Sequence, residues 1–190
     1  MLSRDTLTDV VVALAQGTHL TKTAAHKLCY LIDTLAIDET GRPVLGLEFR
    51  HTDYGMWSPD LADIIREAVD SGRLKAQGVH ANVGEGAVFH APSGDLPQLP
   101  SELRGIVDEA LSRFGSMQLS RLIVTAKSTS PFIYSREGEW VDWNMAIEEH
   151  CKGEHVLTPA AIRKLQQSEN QIRKGEGRRV PADEAFLELD

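Results

Sequence analysis

The segment from Thr21 to Ala36 constrains this chain most. Leu28, Leu31, Ile32 and Leu35 recur at i, i+3, i+4 and i+7, the spacing that places side chains on one face of an α-helix. About four turns of helix carrying an apolar stripe need a partner layer, so the rest of the chain must supply helices or a sheet to pack against it.

Several segments offer that layer. Ser3 can cap a helix in which Leu7, Val11 and Leu14 recur beside Val10, with Gly17 as its stop. Ser58, Pro59 and Asp60 start another: a hydroxyl cap, a proline with preset φ, and a carboxylate at the positive helix end. Leu61, Ile64, Ile65 and Ala68 form its apolar face, and Ser71-Gly72 ends it. Leu103, Ile106, Val107, Ala110, Leu111 and Phe114 share one face of a helix begun by Ser101 and stopped by Gly115; Leu119, Leu122 and Ile123 mark the next.

The β signals are fewer. Leu45, Leu47 and Phe49 alternate with smaller or polar residues, predicting a short strand over Val44 to His51. Residues 73–80 and 83–90, separated around Asn82 and Gly84-Glu85-Gly86, predict a small hairpin. Residues 91–100 carry Pro92, Pro97 and Pro100 and read as a connector, whereas 128–143 read as a loop holding Pro131, Phe132, Tyr134, Trp140 and Trp143. Thr158-Pro159 starts a final helix with Ile162, Leu165 and Ile172, and from Arg173 the chain becomes charged and glycine-interrupted.

These elements predict a mainly α (α+β) fold. Residues 1–172 form one compact helical domain with a short strand and a small β-hairpin, and 173–190 form a charged, mobile tail. Helix, helix, then hairpin is also the order of a winged-helix module, so that arrangement is compatible with the sequence. With 42% hydrophobic side chains in 190 residues, one core can form without disulfides or metals.

Charge and cysteine usage narrow the function. A formal net charge of −8 repels a phosphate backbone at long range, so nucleic acid is not an expected partner. Asp60, Asp63, Glu67 and Asp70 outnumber Arg66 on the helix after Pro59, opposite to what a groove-reading helix needs. The basic residues Arg163, Lys164, Arg173, Lys174, Arg178 and Arg179 near the chain's end give a DNA-binding role only weak support. Two cysteines, Cys29 and Cys151, lie far apart, which suits a reducing cytoplasm. The apolar run at Val10 to Ala15 is too short to span a bilayer and has no cleavage signal after it, so neither a signal peptide nor a membrane segment is expected.

Chemistry-bearing motifs are sparse. His26 with Cys29, and His150 with Cys151 and His155, do not match zinc spacings, so no metal site and no cofactor is expected. The chain has no Gly-x-Ser-x-Gly elbow, phosphate-cradling glycine loop or His-Glu-x-x-His, and no nucleophile or base nominates itself. The expectation is a protein that is not an enzyme.

What remains is contact chemistry. Tyr54, Met56 and Trp57 place two aromatics and a thioether immediately before a helix cap, either as a rigid apolar knob for a partner or as core residues locking strand to helix. Trp140 and Trp143 pose the same alternative, as interface anchors or as caps on the helical core. The terminal segment from Asp183 to Asp190 mixes acids with Phe186, Leu187 and Leu189, a composition found in segments that order on binding and in inert tails alike.

The order of these features resembles the Panacea domain, also described as the SocA-like antitoxin domain. The residues that carry the resemblance are Lys27-Leu28-Cys29-Tyr30-Leu31 within a helix, Gly41-Arg42-Pro43-Val44-Leu45-Gly46, Tyr54-Gly55, and Ser58-Pro59 opening a helix, followed by Phe114-Gly115, Leu119-Ser120 and Trp140. It spans roughly residues 20–143 and rests on order rather than on one specific motif. Met56 stands where that family usually has proline, and Thr125-Ala126 stands where it has Thr-His.

The resemblance implies a cytoplasmic antitoxin that neutralises a toxin encoded nearby by direct protein contact, or delivers it to a protease. On that expectation the contact residues are Tyr54, Met56, Trp57, Asp60, Asp63, Trp140 and Trp143. The partner is a cognate toxin protein, with self-association left open; the acidic chain would suit a basic toxin.

Overall fold

The computed structural model describes residues 2–78, 87–92, 94 and 97–152. Its centre is helix α2 (Lys22–Thr40), capped by the Thr21 hydroxyl on the Ala24 N–H and ended by Gly41 in the left-handed region at φ 75°. Every residue from Ala24 to Ile37 is buried, so α2 is enclosed on all sides rather than along one stripe. That enclosure takes His26, Lys27 and Asp33 inside with the leucines.

The surrounding helices follow their caps. Helix α1 (Arg4–Gly17) starts on Ser3, whose hydroxyl accepts from the Thr6 N–H, and α3 (Pro59–Asp70) starts on Ser58 with proline at its first position. Helices α4 (Ser101–Phe114) and α5 (Leu119–Lys127) pack on α2, as does α7 (Asn144–Cys151), while α1 packs on α3 and α4. The region 128–143, expected as loop, contains the short helix α6 (Ser130–Tyr134), and α7 follows where no helix was expected. No helix among the described residues is long and apolar enough to cross a membrane.

Strand β1 (Leu20–Thr21) pairs antiparallel with β5 (Val88–His90), which pairs antiparallel with β4 (Lys75–Gln77). The expected hairpin is therefore present as β4 and β5, with residues 79–86, including its turn, outside the described ones. Helix, strand, helix, helix and two strands, with the first strand joined to the last, is a winged-helix-like connectivity. A second small sheet, β2 (Arg50–Thr52) with β3 (Gly55–Trp57), is inserted between α2 and α3.

Of the strand expected over Val44 to His51 only Arg50 and His51 enter a ladder: Val44 and Leu45 bend and Gly46 sits in the left-handed region at φ 69°, although Leu45, Leu47 and Phe49 are buried while Gly46, Glu48 and Arg50 are exposed. Only its end is laddered, because its start is held otherwise: Asp33 Oδ1 accepts from the N–H groups of Val44 and Leu45, each at 2.8 Å. The final helix expected from Thr158, the tail from Arg173 and His155 lie outside the described residues.

Replacing Ser58 by alanine removes the hydroxyl that accepts from the Leu61 N–H at 3.4 Å. The loss should cost about 1 kcal/mol of stability, read as a lower urea midpoint at unchanged slope; a shift of less than about 0.3 kcal/mol would show that Pro59 alone sets the helix start.

Candidate functional site

The motif residues converge on the β2–β3 hairpin. Its closing pair is Thr52 with Gly55, and the Thr52 hydroxyl donates to the Gly55 carbonyl at 2.6 Å. Gly55 has φ 90°, which favours glycine, and a Cβ there would stand 3.1 Å from Lys27 Cε, a tight approach that the lysine would have to ease by a few tenths of an ångström. Lys27, 2% exposed, donates from Nζ to the Met56 carbonyl at 2.7 Å; Lys127 Nζ donates to the Asp53 carbonyl. Two ammonium groups thus hold the hairpin by its carbonyls.

Next to this clamp, the Ser58 N–H donates to His26 Nδ1 at 3.2 Å, which assigns the ring proton to Nε2. His26 Nε2 and Asp33 Oδ2 are the buried side-chain atoms without a hydrogen-bond partner among the described residues. Burial, aided by Lys27 and Lys22, holds the His26 pKa well below the usual histidine value, so the ring stays neutral.

Burial pushes the Asp33 carboxyl up to about 7 against the pull of the Leu45 and Val44 N–H groups, and burial with Lys127 pulls the Lys27 ammonium down to about 7. Between the ordinary carboxylate range and neutrality, folded Asp33 keeps a proton that the unfolded chain has lost, so its contribution falls as pH rises toward 7. Above 7, unfolded Lys27 keeps a proton that the folded chain has lost, so its contribution rises with pH. Below neutrality His26 opposes Asp33, because the unfolded ring takes a proton that the folded ring refuses, so the two offset there and the net rise with pH comes from Lys27 above 7. Urea midpoints at about pH 5, 7 and 9 check the signs: Asp33→Asn should steepen the rise between 5 and 7, Lys27→Met should flatten the rise between 7 and 9, and parallel profiles for wild type and both variants would refute the assignment.

The expected contact residues divide. Met56, expected at a partner surface, is 0% exposed and belongs to the core; its place in the register opposite His51 points it at the inner face of the hairpin. Trp143 is half-buried, stacked on Tyr30 at 5.3 Å and edge-on to Phe49 at 6.2 Å, so most of its ring serves the core. Tyr54 is half-buried at the turn, Asp60 is exposed in the first turn of α3, and Asp63 pairs with Arg66 at 2.5 Å. Trp57 is half-buried, with His26 6.0 Å away, and Trp140 is 51% exposed.

A third strip of backbone joins the hairpin. Val141 N–H donates to the Phe49 carbonyl and His51 N–H to the Glu139 carbonyl, each at 2.8 Å, and Gly138 N–H to the His51 carbonyl at 2.9 Å. Arg50 therefore stands opposite Trp57 on one side and Trp140 on the other. Residues directly opposite in a sheet share a face, so Trp140, Arg50 and Trp57 form one row on the outer face, with Phe49, His51 and Met56 beneath. Arg50 Nε donates to the Gly138 carbonyl at 2.8 Å, fixing its direction.

Arg50 was not singled out from the sequence, because nothing local reveals that two tryptophans from distant segments flank it. His51 adds rigidity below the row: its ring lies 3.9 Å from that of Phe132, and its Nδ1 faces the Ser135 carbonyl at 3.1 Å and hydroxyl at 2.9 Å. Burial lowers the His51 pKa.

Elsewhere, a cavity of about 340 Å³ lies between the start of α2 and the α4–α5 junction, lined by Leu28, Phe114, Met117, Leu119 and Leu122 with His19 at its edge. Among the described residues that line it, none is a carboxylate that could pair with that histidine for acid–base chemistry. Among the described residues no three His, Cys, Asp or Glu side chains gather into a metal-holding group. Compared with known proteins, the chain matches no family, no curated protein and no solved structure.

Proposed function

We propose that this protein is an antitoxin that neutralises a toxin by direct protein contact through the outer face of the β2–β3 hairpin. The observation that carries the contact surface is the Trp140, Arg50 and Trp57 row. Tryptophan and arginine are the residue types that dominate binding hot spots, and this row is held by backbone hydrogen bonds before any partner arrives. The toxin as partner comes from the resemblance, whose residues Lys27, Gly55, Ser58 and Tyr30 all serve the clamp and core behind that row.

The winged-helix-like connectivity offers a second reading, a nucleic-acid binder. Helix α3, in the position of a recognition helix, turns Asp60, Glu67 and Asp70 to solvent, which favours a protein partner over a phosphate backbone. Co-expression with the product of the adjacent gene tests the proposal. Growth arrest by that product alone, relieved by this chain and accompanied by co-purification, is the expected result; a harmless neighbour, or salt-sensitive DNA binding in place of a complex, would overturn it.

A further inference from the structure

The two-stranded sheet of β2 and β3, with the strip bridged to it at Trp140, has two edges, and they are treated differently. At the β3 edge the Met56 carbonyl is taken by Lys27 and the Ser58 N–H by His26, so that side is sealed by α2. At the other edge stands Trp140. The bonds between the strips flank the Arg50 and Trp140 pair, running from Val141 to Phe49 and from His51 to Glu139. In an antiparallel ladder a pair flanked in this way turns its own N–H and C=O groups away from each other. Arg50 spends its groups on Trp57 of β3; those of Trp140 point outward, and no hydrogen bond among the described residues uses them.

We infer that the Trp140 edge is a strand-addition site for an extended, basic segment of a protein partner. One residue of that segment would exchange two backbone hydrogen bonds with Trp140, and the half-exposed indole would anchor the adjacent side chain. Sheet edges are commonly blunted by charge, proline or covering structure; here the residue whose own backbone groups point outward is a large aromatic, with charge only on its neighbours. The charge of the segment follows from its surroundings: Glu137, Glu139 and Asp142 are exposed beside Trp140, against Arg136 and Arg50, Arg50 being turned to the Gly138 carbonyl, and none of the three carboxylates forms an ion pair among the described residues. Lysine or arginine in the added strand would meet these carboxylates.

This inference rests on the proposed reading of the hairpin as a protein-contact surface, and can be tested without knowing the partner. A displayed library of random dodecapeptides, selected on the full chain, should enrich sequences alternating β-branched residues with lysine or arginine. A synthetic peptide from that set should slow hydrogen exchange of the Trp140 amide by more than about tenfold, because that N–H gains an acceptor. Trp140→Pro, which lacks the N–H, should lose the enrichment. No enrichment, acidic enriched sequences, or binding that leaves Trp140 exchange unchanged would each overturn it, and the exchange measurement on the unaltered chain decides even if the proline variant fails to fold. Growth rescue by a toxin complex in which the Trp140 amide stays unprotected removes strand addition and leaves the antitoxin reading; edge-pairing peptides with a harmless neighbour do the reverse.

Discussion

Asp33→Ala should lower the free energy of unfolding by roughly 2–5 kcal/mol, since two backbone N–H groups lose their acceptor at once. Asp33 is 0% exposed, and its Oδ1 alone serves both Val44 and Leu45. Alanine leaves the Leu45 N–H inside the core with no group to accept it, where a missing bond costs about 1–3 kcal/mol. The effect spreads because those bonds fix the bend at Val44 and Leu45 from which the chain leads to the buried Leu47 and Phe49. Asp33→Asn keeps an amide oxygen for the same two donors and should cost less than half as much. Urea unfolding of both variants, with hydrogen exchange at Val44 and Leu45, checks the claim. An alanine variant within about 0.5 kcal/mol of wild type would mean that other contacts position residues 44 and 45.

The same aspartate shows where sequence reasoning stopped. The starts and stops of α1, α3 and α4 were legible because capping is local: Ser3, Ser58-Pro59 and Gly115 act within one helical turn of themselves, whereas α2 runs four residues past the expected Ala36 to its cap at Gly41. The alternation at Leu45, Leu47 and Phe49 was legible for the same reason, as each side chain reports its own face. A charged residue on a helix gives no such report. Neither Lys27 nor Asp33 was singled out as a buried charge, because only the packing of α4, α5, α7 and β3 around α2 encloses them.

Long-range pairing was equally silent. Strand β1 has two residues, too few for any periodicity, and exists because β5 lies beside it nearly seventy positions later. The strip at Trp140 crosses ninety positions to reach Arg50. Helices α6 and α7, of five and eight residues, are below the length at which a 3.6-residue pattern becomes distinct, and α6 was hidden by the aromatic residues that made its segment look like loop. Of the residues expected at the contact surface, Trp57 and Trp140 meet in one row and Met56 turns inward. A two-residue period makes that split unavoidable: once Trp57 faces out from β3, its neighbour must face in.

Trp140→Ala separates binding from folding more cleanly than any other change at this surface. Its ring is half exposed, and the backbone bonds that hold the strip belong to residues 138, 139 and 141, so truncation should leave the unfolding midpoint within about 0.5 kcal/mol of wild type. A hot-spot tryptophan is worth about 2 kcal/mol or more, so if the proposed contact holds, affinity for the proposed partner should fall at least about thirtyfold, with any relief of growth arrest lost accordingly. Trp57→Ala should behave differently, because the half-buried Trp57 ring also lies 6.0 Å from that of His26, directly before the Ser58 cap of α3. It should lower stability as well as affinity, and the two losses cannot be separated at that position. Calorimetric titration with the purified partner, run beside urea unfolding, distinguishes the variants. Unchanged affinity in Trp140→Ala with a folded protein would move the contact off this row. The exposed Asp60 and the Asp63–Arg66 pair on α3 would then be next to test, since they are the expected contact residues that the ribbon does not use.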